Sequence, residues 1–176
     1  MDSSLKAFVN VTLSFLPLIL LWSISDEYAL VLGIGAVIIL LIKEIINKNI
    51  GIMSRVLLGY FIVSNIFYFY LNINAILQYK YLSSYMVLAL TGFISCSFGK
   101  PYTMYEARSG YEKEFWNSPL FIEVNILITK IWATIYLINV IIELTGHSIM
   151  KVAIMNVFVV IGTVISIMVP GLMPEN

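Results

Sequence analysis

Six long apolar runs, separated by short polar breaks, organise this chain. They are Ala7–Ile24, Tyr28–Ile46, Val56–Ile76, Tyr81–Phe98, Pro119–Ile142 and Ile149–Val169. A helix crossing the hydrocarbon core of a bilayer needs about 20 residues, within a range of about 17–25, and each run comes close. Strands of a membrane barrel would alternate apolar and polar positions. The stretch Ala29–Ile42 does not alternate. Lipid offers the backbone no hydrogen bonds, so such runs must close their own as helices. The pattern predicts an all-α fold: a polytopic transmembrane bundle of six spans in a single domain, residues 1–176. The second run is the weakest, because Lys43 and Glu44 fall in its last turn. A lysine there can extend its charge to the headgroups.

Local punctuation supports these boundaries. Asn117-Ser118-Pro119 reads as an N-cap followed by proline in the first helical turn. Pro17, within Phe15-Leu16-Pro17-Leu18, is expected to kink the first helix. Pro170-Gly171 is expected to stop the sixth. Ala7–Ile24 is longer than the apolar core of a signal peptide, so it is read as a span and not as a cleaved leader.

Charge then orients the bundle. If six helices alternate, Lys6, Lys43, Lys48, Arg55, Lys100, Arg108 and Lys113 share one side, against Lys80 and Lys151 on the other. Cytoplasmic loops carry the excess of Lys and Arg. Both termini are therefore expected in the cytoplasm.

Composition narrows the function classes. Sixty per cent of residues are hydrophobic and 11% charged, and the formal net charge is zero. Mean hydropathy is +0.95. No basic face exists to bind nucleic acid. A single cysteine, Cys96, and a single histidine, His147, give no basis for a disulfide framework, a thiolate metal site or paired haem ligands. Cys96 reads as a small buried hydrophobe and His147 as a solvated loop residue. No H-E-x-x-H or G-x-S-x-G motif occurs, and Gly33-x-Gly35 sits in mid-span, where it cannot cradle phosphate. No catalytic residue, cofactor or metal is expected.

Two groups of residues remain as candidate sites. The fifth run carries Glu123, Asn125, Lys130 and Asn139, together with Thr129 and Thr134. Glu123 and Lys130 are two turns apart and point to nearly the same side. Charges at such depth mark ion or substrate pathways, or serve as a structural polar seam. The segment Gly99–Ser118 is the longest polar connection. Its Thr103–Glu106 and Ser109–Glu112 spacings fit capping boxes. Lys100, Arg108, Lys113 and Trp116 there suit either a loop lying in the headgroup layer or a docking surface for a partner or lipid. Small-residue pairs, Gly92 with Cys96 and Gly162 with Ser166, mark close helix contacts within the chain or between copies. Tyr68, Phe69 and Tyr70 read as an interfacial aromatic belt or a substrate-binding box.

Some short motifs resemble those of the bacterial intracellular septation protein A family of small polytopic inner-membrane proteins. These are Phe15-Leu16-Pro17-Leu18 in the first run, Gly99-Lys100-Pro101 after the fourth, Trp116 before the fifth and Asn125 within it. The order and spacing of the apolar runs agree over nearly the whole chain. The resemblance implies a role in cell-envelope synthesis or division through contacts with other membrane proteins, and it supplies no catalytic residues. Two functions are therefore carried forward. The first is a non-enzymatic envelope or division factor that works through helix and cytoplasmic-loop contacts. Its expected partners are the lipid bilayer, envelope membrane proteins or a second copy of the chain. The other is a small transporter or channel using the polar side of the fifth helix.

Overall fold

The computed structural model describes residues 13–108, 111–145 and 149–172. The described residues are all-helical, with no strands. The helices are α1 (Leu16–Ser23), α2 (Tyr28–Ile46), α3 (Ile52–Asn65), α4 (Ala75–Gln78), α5 (Lys80–Ser97), α6 (Thr103–Ala107), α7 (Pro119–Leu144) and α8 (Ile149–Leu172). α3 continues without a break into a π-helical turn, Ile66–Tyr70. A 3₁₀ turn, Lys113–Asn117, precedes α7. Three helices are long and apolar enough to cross a membrane: α2, α3 with its π-helical extension, and α7.

The second run coincides with α2, and the others differ in instructive ways. α3 starts a turn before Val56, because its polar first residues find partners. The Glu44 carboxylate accepts bonds from Ser54 Oγ and from Gly51 N (2.9 Å), and Arg55 Nε donates to Gly51 O at 3.1 Å. The helix ends before Ile76. Asn72 adopts a left-handed conformation at φ 54°, which asparagine tolerates better than most residues. Leu13 and Ser14 are helical, Phe15 is a turn, and α1 begins just before Pro17. Pro17 thus sits in the first turn of α1, where its missing N–H needs no intrahelical partner and its fixed φ suits a helix start. The expected stop at Pro170-Gly171 is corrected, since α8 runs through Leu172. A proline in a last turn removes only one hydrogen bond from the ladder. His147 and the capping turn expected at Ser109 lie outside the described residues.

The pairing of helix ends reveals the path of the chain. α5 and α7 pack closely along their length and run antiparallel. Gly92 lies against Ala133, Cys96 Sγ reaches Ile126 O at 3.7 Å, and Thr103 meets Asn125. A Cβ on Gly92 would fall 2.6 Å from that of Ala133, so glycine is what permits the approach. Gly33 likewise seats the Phe61 ring, joining α2 to α3. At one end of the bundle, Lys80 Nζ donates to Ile24 O and Tyr81 Oη to Trp22 O at 2.8 Å. At the other end, the α2–α3 turn meets the α5–α7 connection, where Asn49 Nδ2 donates to Tyr105 O at 2.9 Å. The core lies between, around Leu18, Leu21, Leu30, Val37, Met53, Leu57, Phe61 and Leu88, all fully buried.

Candidate functional site

Gly99 directs the chain toward a large cavity. It has φ +63°, the left-handed geometry that glycine adopts without strain. Gly99 N bonds to Cys96 O and Lys100 N to Ser95 O, each at 2.9 Å, which closes α5 in a Schellman motif. The chain then turns inward. Tyr102, Thr103, Met104, Glu106 and Ala107 are all buried, so α6 plugs the end of the bundle. The expected capping box is corrected here. Thr103 Oγ1 does not cap α6. It bonds to Asn125 Oδ1 and Asn125 O at 3.1 Å and to Thr129 Oγ1 at 2.8 Å. Ser118 does cap α7 as its sequence suggests, accepting from Phe121 N at 3.2 Å.

Beside this plug lies a cavity of about 410 Å³ between α1, α7 and α8. Each wall is a helical stripe at three- and four-residue spacing. Phe15, the residue just before α1, stands with Ile19 and Trp22 of α1. Phe121, Val124, Asn125, Ile128, Trp132 and Tyr136 come from α7, and Val159, Thr163 and Ser166 from α8. Tyr85 closes one end, and Tyr111, Phe115 and Ser118 the other. The aromatic rings form a continuous wall. Trp22 and Tyr85 have centroids 5.1 Å apart, Tyr85 and Tyr136 6.3 Å, and Tyr136 and Trp132 5.6 Å. Both indole N–H groups are occupied, by Ser84 Oγ and by Ser166 Oγ at 2.9 Å each. The two indole rings therefore offer apolar faces with their polar tips already satisfied.

The fifth-run candidates divide between two sides of α7. Asn125, Thr129 and Asn139 are buried, while Glu123 and Lys130 are exposed on the outer surface. The two charges thus lie off the wall that Asn125 helps to build. Asn125 Nδ2 donates to Phe121 O at 2.8 Å. Asn139 is fully buried, and its amide finds no partner among the described residues.

The loop candidates also divide. The Arg108 guanidinium packs over the rings of Tyr105 at 4.9 Å and Trp116 at 5.2 Å, while Trp116 Nε1 donates to Tyr111 O at 3.1 Å. Lys100 and Lys113 are exposed. Both small-residue pairs are used within the chain, since Gly162 meets Ile135 and Trp132, and Ser166 accepts from Trp132.

A smaller cavity, about 280 Å³, lies under the α2–α3 turn. Two carboxyl groups border it, Glu44 and Glu106, with Ser14, Lys43, Asn49, Tyr105 and Trp116. Oxygens of both carboxyl groups come within 3.5 Å of the point that a Cβ on Gly51 would occupy. Burial above all pushes the Glu106 carboxyl up to about 8; a backbone hydrogen bond opposes the shift, the Glu44 charge adds to it, and a hydrogen bond from Ser14 opposes it less. Burial also raises the neighbouring Tyr102 hydroxyl well above its ordinary range.

Neither the aromatic wall nor the carboxyl pair follows from the sequence reading. The stripe Phe121, Val124, Asn125, Ile128, Trp132, Tyr136 is a usable signal for the wall. The carboxyl pair joins residues 62 positions apart, and no local pattern announces it. Comparison with protein-family models, curated proteins and solved structures gives no match.

Proposed function

We propose that this chain is a six-span protein of a bacterial inner membrane that holds a membrane-soluble ligand in the cavity between α1, α7 and α8. One observation carries the reading: a cavity of about 410 Å³ walled by a continuous series of aromatic rings. Cavities of roughly 300–1,000 Å³ with mostly apolar walls and a few placed polar groups are typical of small-molecule sites. A non-enzymatic envelope or division factor fits this site, since envelope assembly handles lipid-linked material. The contacts with other membrane proteins implied by the family resemblance belong to the same proposal. The transport alternative is weaker, because the charged residues of α7 lie outside the cavity.

Ligand retention tests the proposal. The purified protein should carry a bound lipid-type molecule at near one-to-one stoichiometry in native mass spectrometry. Thr163→Phe, which fills the cavity, should fold and lose it. A parent protein that retains nothing under any mild extraction would overturn the reading. Solute flux in liposomes without any retained ligand would favour the transporter.

The six-span topology has support in the shared helix ends. The turn bearing Lys48 meets the segment bearing Tyr105 and Glu106, opposite the end where Lys80 meets Ile24. Cysteines placed at 113 and 80 in a Cys96→Ser background should differ in whole cells. An impermeant maleimide should label position 80 and spare 113, and the reverse pattern would invert the topology.

A further inference from the structure

We infer that the ligand of this cavity is an uncharged long-chain lipid with a hydroxyl or carbonyl head, and that anionic lipids are excluded from it. The inference rests on the reading of the cavity as a ligand site. Its first support is charge. No charged side chain is among the described residues lining the cavity. The nearby cations are directed elsewhere. Arg108 is stacked on Tyr105 and Trp116, and Lys130, Lys100 and Lys113 are exposed. A charge taken into an apolar site without a counter-charge or several hydrogen bonds is strongly disfavoured.

The polar groups of the wall offer an anion little. Thr103 and Asn125 bond to each other, and Asn125 also donates to Phe121 O. Ser166 Oγ accepts from Trp132 and donates to Gly162 O at 2.7 Å. Tyr85 and Thr163, which also line the cavity, carry neutral hydroxyls, which suit one or two hydrogen bonds with a hydroxyl or carbonyl head.

Shape supplies the chain. The α7 wall extends from Leu120 to Tyr136, about 24 Å at the rise of an α-helix. A cavity this long suits an extended hydrocarbon better than a compact solute. Aromatic faces along its length provide dispersion contacts for that chain.

Trp22 and Trp132 line the cavity and Trp116 does not, so intrinsic fluorescence can read occupancy directly. The experiment uses the full chain carrying Trp116→Phe in nanodiscs, titrated with brominated diacylglycerol or brominated phosphatidylglycerol. Diacylglycerol should quench saturably, with a midpoint mole fraction at least about tenfold below that of phosphatidylglycerol, the ratio that corresponds to about 1.4 kcal/mol. Adding Thr163→Phe should return its quenching to the bulk-bilayer level while the helical circular dichroism is kept. Equal or stronger saturable quenching by phosphatidylglycerol would overturn the assignment of an uncharged ligand and leave the ligand site standing. Quenching by both probes only at the bulk level would overturn the ligand site, and this inference with it.

Discussion

Gly92→Leu should be among the most damaging single substitutions in the chain, lowering stability by about 3 kcal/mol or more. The Ala133 Cβ stands 2.6 Å from where a Gly92 Cβ would begin, and Ala133 Cα stands at 3.4 Å. Thr129 O follows at 3.6 Å. The nearest atoms belong to, or sit directly on, the α7 backbone, so no flexible side chain can move aside. Overpacking a tight contact costs about 1–3 kcal/mol even where neighbours can adjust. Here α5 and α7 would have to separate along one of the closest helix contacts in the bundle. Denaturant titration of the detergent-solubilised protein measures the loss. Ala133→Gly should partly restore stability in the double variant, because it removes the clashing methyl group. Gly59→Ala is the matched control, since nothing lies within 4 Å of a Cβ there. It should be neutral or stabilising by about 0.5–1 kcal/mol through helix propensity. A Gly92→Leu protein as stable as the Gly59→Ala protein would show that the two helices are not in close contact.

Glu106→Gln should remove a large part of the pH dependence of stability. An unfolded glutamate loses its proton near 4.5, whereas the buried Glu106 holds it to about 8. Between those values the native state binds a proton that the unfolded chain has released. Stability therefore falls as pH rises through this window and levels off above about 8. Each tenfold gain in proton affinity corresponds to about 1.4 kcal/mol, so the full effect is on the order of a few kcal/mol. A glutamine side chain binds no proton, and the profile of the variant should be nearly flat across the window. The variant should therefore be more stable than the parent at pH 8 and close to it at pH 5. Glu44→Gln removes the neighbouring charge and should move the Glu106 midpoint downward. Denaturant titrations from pH 5 to 9 give all three profiles. Parallel slopes for parent and Glu106→Gln would mean that residue 106 is solvated and that the α6 plug is not closed.

Several features were legible in the residue order because local physics determines them. Uninterrupted apolar runs dictate helices, since lipid satisfies no backbone group. α2 matches Tyr28–Ile46 and α7 begins at Pro119, because a run of apolar residues or a Ser-Pro cap acts within a few positions. The Ser118 cap could be read directly, as its bond to Phe121 N spans three residues. The loop was only half legible. Its aromatics and cations stood out, but its burial depended on the turn at Gly99 and on room beneath α2 and α3.

The two stripes of α7 mark the boundary between what the sequence determined and what the tertiary structure decided. Helical spacing alone puts Glu123 and Lys130 on one stripe, and Asn125, Thr129, Trp132, Tyr136 and Asn139 on another. Periodicity cannot say which stripe turns inward, because any helix can rotate about its axis without changing its spacing. That choice came from packing. Gly92 lets α7 approach α5 through Ala133, and Thr103 waits at the plug to bond Asn125 and Thr129. Once those contacts form, the aromatic stripe faces α1 and α8, and the charged residues are left on the outside. The Glu44–Glu106 pair has the same origin. Each carboxyl group is an ordinary polar residue at a helix end, and only the closure of the plug against the α2–α3 turn brings them together and raises the proton affinity of one.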